Sequence, residues 1–185
     1  MKRFVPITLG VLAVVASVYA HAATQTSPEI EKALLAAPAP LKDGATVIKW
    51  KADYTYETLR KGTNRLVCFD KSIMPGQQPV MIECTSIANL DRVAQNLKFE
   101  AEPDRAKRQA ALDAAEANGT RVKPEYASVW YHVMGPDMEH QRHHMTIALP
   151  GATTASTSIP DNNKMGGVWI MNAGTSTAHL MTPGE

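Results

Sequence analysis

Only 2 of the 185 residues are cysteine, aromatic side chains make up 6%, and neither sign of charge prevails. With 19 Lys and Arg against 18 Asp and Glu, the formal charge is +1, which excludes a basic nucleic-acid-binding surface as the organising feature. There is also no apolar run of membrane-spanning length. The longest candidate, 7–18, covers 12 residues, where a bilayer core needs about 20. What is present is ordinary: 44% hydrophobic and 20% charged residues suit a packed core and argue against wholesale disorder. At roughly 100–200 residues per domain, the length predicts one domain.

The first residues carry an address. Lys2 and Arg3 precede the apolar run, and Ala20-His21-Ala22 supplies the small residues that a signal peptidase reads. Residues 1–22 are therefore expected to be a signal peptide cleaved before Ala23, leaving 163 residues of charge −1 in the periplasm or secreted. No cysteine follows the cleavage point, so no lipid anchor is expected. Residues 23–44 read as a short helix and a Pro-rich extended segment, and 45–185 as the single folded domain.

Export decides how Cys68 and Cys84 are read. An exclusive pair in an oxidising compartment favours a disulfide, here stapling a loop marked by Met74-Pro75-Gly76 and Pro79. Their spacing matches neither a redox motif nor a zinc site.

Ser27-Pro28-Glu29 reads as a helix start, with the helix running through Ala37 and ended by Pro38-Ala39-Pro40. Strands are expected at 45–50, 55–60 and 65–69, with a turn at Lys61-Gly62-Thr63-Asn64. Ile87, Leu90, Val93, Ala94 and Leu97 keep helical spacing, so 86–98 is expected to be an amphipathic helix. A second helix starts at Pro103 and stops at Asn118-Gly119, with so few large apolar residues that it belongs on the surface. From Ala127 the pattern turns to β, at 127–134, 142–149, 168–171 and 177–181, with 150–166 as one long loop. The expected fold class is α+β: a small antiparallel sheet with two or three helices on one side or end.

Four blocks lie in an order that resembles a group of uncharacterised exported bacterial proteins. They are Ala45 to Trp50, Leu59 to Asn64 leading to Cys68, His144 to Pro150, and Gly166 to Met171 with Ala173-Gly174-Thr175 and Ala178 to Pro183. An aromatic-rich stretch of that pattern near the second cysteine is replaced here by Thr85 to Leu97. The resemblance implies a shared fold and export, and it brings no activity.

Histidine and methionine are unevenly placed. Of 6 histidines, His132, His140, His143 and His144 crowd one window with Met134, Met138 and Met145, and His179 and Met181 lie near the C-terminus. Imidazole with thioether suits copper as Cu(I), and His144, His179, Met181 and Met134 are the candidate metal ligands. A rival set is Met138, His140 and His143 on a loop. Strand alternation puts His143, Met145 and Ile147 on one face and Arg142, His144 and Thr146 on the other. No zinc-protease motif, serine nucleophile elbow, EF-hand or phosphate-cradling glycine loop is present, and no catalytic residue is named. The expected function is thus a non-enzymatic exported binding or interaction module, with a soft metal such as copper or a protein partner as its ligand. The alternative is a small exported enzyme with His144 and His179 as acid/base groups.

Overall fold

The computed structural model describes residues 27–182. The expected signal peptide and its cleavage point fall outside the described residues. No helix among those described is long and apolar enough to cross a membrane.

Among the described residues, eight strands form one sheet: β1 (Thr46–Trp50), β2 (Tyr56–Arg60), β3 (Leu66–Asp70), β4 (Val80–Ser86), β5 (Val129–Gly135), β6 (Arg142–Ala148), β7 (Trp169–Met171) and β8 (His179–Met181). Their spatial order is β2-β1-β3-β4-β5-β6-β8-β7. Among the described residues there are five α-helices: α1 (Pro28–Ala33), α2 (Ala39–Lys42), α3 (Leu90–Glu100), α4 (Arg105–Ala117) and α5 (Thr154–Thr157).

This corrects the expectation of a small antiparallel sheet with helices on one side or end. The sheet is large and mixed, because β1 and β3 run parallel with Thr46 beside Val67 and Val47 beside Cys68. Helices cover both faces, and consecutive residues of one strand show it. Cys68 packs with Ala33, Leu34 and Ala36 at the end of α1, whereas Val67 packs with Leu90, Val93 and Leu97 of α3. Period-two alternation thus feeds two cores from each central strand.

The expectation went astray at β4. Val80–Ser86 alternates Ile82 and Cys84 toward the α1 face with Met81, Glu83 and Thr85 toward the α3 face. A strand burying glutamate and threonine carries no simple apolar signal, and Pro79 beside it reads as loop. With β4 in place, Cys68 and Cys84 are direct cross-strand neighbours and form the disulfide, Cα atoms 4.1 Å apart.

Other differences are local. The first helix ends at Ala33 and tightens into a 3-10 turn at Leu34–Ala36, and the Pro38–Pro40 region coils into the one-turn α2 instead of staying extended. The long 150–166 loop holds α5, closed by a Thr153–Ser156 capping box, and a 3-10 turn at Asn163–Met165. In α4 only Ala115 is buried, as a surface helix requires.

Two glycines hold close approaches. A Cβ on Gly62 would lie 2.3 Å from the Gly44 carbonyl oxygen, so the 61–64 turn can press against the start of β1. Gly76 has φ of +78°, and a Cβ there would lie 1.9 Å from the Glu100 carbonyl oxygen at the end of α3. Gly76→Ala combines backbone strain with that collision and is expected to lower stability by about 2 kcal/mol, read by denaturant unfolding.

Candidate functional site

The α3 face of the sheet carries a row of polar residues. Antiparallel register sets Glu83 of β4 opposite His132 of β5, and His132 opposite His144 of β6. One step along the strands, Met81 stands opposite Met134. Two-residue alternation keeps Met81 with Glu83, and Met134 with His132, on one face. All five side chains line a cavity of about 290 Å³. Helix α3 supplies a wall from Arg92, Asn96 and Glu100, a spacing of four that puts them on one side of the helix. Leu90, Val93 and Leu97 point instead into the core, which fixes the helix's rotation.

The charges at the base of this cavity are buried. Glu83 and Lys71 have side chains only 2% and 4% exposed, with Lys71 Nζ 3.0 Å from Glu83 Oε2. Lys71 also reaches Glu100 Oε2 at 3.4 Å, and the Gln77 side-chain amide donates to that same oxygen at 2.7 Å. Burial alone would raise the Glu83 pKa, but the Lys71 ammonium and His132 together outweigh it and pull it down to about 2. Burial likewise pushes Lys71 down, and the charges of Glu83 and Glu100 carry it above its ordinary value. The pair is therefore ionised at neutral pH.

His132 Nδ1 lies 3.4 Å from Glu83 Oε2, and its ring stacks with that of His144 at a centroid distance of 6.0 Å and an interplanar angle of 29°. The other carboxylate oxygen, Glu83 Oε1, and His132 Nδ1 are both buried with no hydrogen-bond partner among the described residues.

The far end of the cavity is built by the C-terminal segment. Arg92 donates to the Val122 carbonyl, to Ser176 Oγ at 3.3 Å and to Thr177 Oγ1 at 2.8 Å. Burial, with Arg121 nearby, brings its pKa down to about 10, so it stays cationic. Ser176 in turn donates its hydroxyl to Glu116 Oε2 at 2.6 Å. His179 Nδ1 sits 2.7 Å from the Thr177 carbonyl oxygen. Burial lowers the His179 pKa, with repulsion from His132 and Arg92 adding to it, so the neutral imidazole is favoured.

The structure brings some of the candidate residues together and separates others. His144, His179 and Met134 all line the cavity. Yet His179 pairs with Ala148, four residues along β6 from His144, or about 13 Å of strand. Met181 is half-buried and pairs with Trp169 of β7, outside the cavity lining. In the rival set, His140 is tied to Asp137 at 2.9 Å, Met138 is exposed, and His143 occupies the opposite sheet face from His144. Among the described residues, no three His, Cys, Asp or Glu side chains converge as a metal-binding group.

Reading the sequence missed Lys71, Met81, Glu83 and Arg92 as site residues. The usable signal was Met81-x-Glu83-x-Thr85, an alternation of polar and polarizable residues between Ile82 and Cys84. It becomes legible only once 80–86 is taken as a strand. Comparison of the chain with family models, curated proteins and solved structures finds no match in any of the three.

Proposed function

We propose that this chain is an exported binding module that holds a small ligand in the cavity between the sheet and α3. The observation that carries this reading is the Glu83 carboxylate, fully buried on the cavity floor with Oε1 unpartnered among the described residues. Buried polar atoms are almost always hydrogen-bonded, and an ionised one left short is costly, so it marks a place where something else binds. The disulfide and the lack of a membrane-spanning helix among the described residues are compatible with export.

A second reading is a small exported enzyme using His144 and His179 as acid/base groups. Its support is the carboxylate beside an imidazole at Glu83 and His132. Binding is favoured over it because His179 pairs four residues along β6 from His144, about 13 Å of strand, so the two do not meet as an acid/base pair. Both cysteines are bridged, and the Ser176 hydroxyl is committed to Glu116.

Native mass spectrometry of the protein purified from an exporting host tests the proposal. Wild type is expected to carry a noncovalent adduct, released by acid, that Thr146→Phe loses by filling the cavity. An adduct retained by folded Thr146→Phe, or none in wild type, would overturn it.

A further inference from the structure

Resting on that binding reading, we infer that the ligand is Cu(I), held by the imidazoles of His132 and His144 and the thioethers of Met134 and Met81, with the unpartnered Glu83 oxygen on the cavity floor supplying negative charge toward it. This donor set differs from the His144/His179 pairing suggested by sequence, because the register joins His144 to His132 instead. The two histidines are directly opposed across β5 and β6, the two methionines directly opposed across β4 and β5, and all four line one cavity. Opposed side chains on adjacent strands start about 5 Å apart at Cβ, and methionine's three rotatable bonds reach further.

The rings sit at a workable separation. Two imidazoles sharing one tetrahedral ion through nitrogens at about 2.0 Å place their centroids ~5 Å apart, so loading would draw the rings together by about 1 Å. The observed value is 6.0 Å.

Glu83 explains why His132 would present the correct nitrogen. A carboxylate kept ionised by Lys71 can only accept; Nδ1 faces it at 3.4 Å and makes no hydrogen bond among the described residues, so closing that short gap would place the hydrogen on Nδ1. Nε2 then keeps its lone pair for a ligand. With the gap closed, this would be the carboxylate–histidine arrangement that orients metal-bound imidazoles elsewhere in protein chemistry.

The chemistry selects the ion. Zinc prefers a tetrahedral shell of thiolate, imidazole and carboxylate, and among the described residues no three such groups converge. Two imidazoles and two thioethers form a soft donor set that suits a monovalent soft cation.

The test is competition for Cu(I) against a chromophoric bicinchoninate chelator, with ascorbate as reductant to spare the disulfide. Wild type is expected to withdraw one Cu(I) per chain. Met81→Leu and Met134→Leu conserve volume, so they should fold normally and weaken binding at least ~10-fold each. His144→Gln should weaken it further, while the double variant His140→Gln/His143→Gln should change it less than about 2-fold. X-ray absorption of the loaded protein should report both nitrogen and sulfur neighbours. The inference is overturned if wild type takes no Cu(I), if the methionine variants bind as tightly, or if the His140→Gln/His143→Gln variant abolishes binding. An organic adduct displaced by Thr146→Phe, without Cu(I) uptake, would sink the copper assignment and leave the binding module standing.

Discussion

Lys71→Met should cost about 3–5 kcal/mol of folding stability, the largest effect expected of any single polar substitution in this protein. The ammonium and the Glu83 carboxylate are both almost fully buried and 3.0 Å apart. Removing the cation leaves the anion with only the facing His132, on a floor where Oε1 already lacks a partner. The cost is that of stranding a charge, and it exceeds what the intact pair contributes relative to an apolar replacement. Adding Glu83→Gln should therefore recover part of the loss, a coupling visible in a double-mutant cycle by urea unfolding.

The pH dependence follows from the same pair. Glu83 has a folded pKa of about 2, below its unfolded value, so its stabilising contribution is present above the unfolded value. That contribution is lost as pH falls through the folded value. Wild type should thus lose stability on acidification from about pH 4.5 toward pH 2. In Lys71→Met this part of the acid sensitivity should vanish, since protonation would then relieve the stranded carboxylate. A Lys71→Met variant as stable as wild type at pH 7 would show that the pair is not closed in solution.

Replacing both Cys68 and Cys84 by alanine should cost about 3 kcal/mol, the chain-entropy value for a loop of about 15 residues. For a domain of this size that corresponds to a melting point lower by roughly 6–12 °C. The bridge lies on the α1 face, packed with Ala33, Leu34 and Ile82, while the cavity lies on the α3 face. Ligand binding in the folded double variant should therefore match wild type. Scanning calorimetry measures the first effect and the Cu(I) competition the second. A melting point unchanged by the double substitution would contradict the structural role given to the bridge.

How far the sequence could be read differs between the two ends of the sheet. The facing of β6 was legible because alternation alone determines it: His144 and Thr146 do share the cavity face. The helix at α3 was legible too, because Leu90, Val93 and Leu97 repeat at helical spacing and all three are buried. β4 was not, since its cavity face is Met81, Glu83 and Thr85, residues that satisfy one another only in three dimensions. Losing β4 lost both the size of the sheet and the carboxylate of the site.

Lys71 shows the same limit in sharper form. Nothing in Asp70-Lys71-Ser72 marks a buried ammonium. It is buried because Glu83 and Glu100 arrive from β4 and α3 to meet it. The histidine pairing depended on register as well. His144 and His179 both lie on strands, but pairing sets His144 against His132 and His179 against Ala148. A one-residue slip would have moved every one of these side chains to the other face.

The most direct measurement is side-chain NMR of the protein labelled with ¹⁵N in its histidines, recorded before and after one equivalent of Cu(I). The imidazole signals of His132 and His144 should shift together, while those of His140 and His143 should each follow its own place: His140 unmoved on its loop, His143 unmoved on the far sheet face. Shifts confined to His140 and His143, or no shift at any imidazole, would contradict the account.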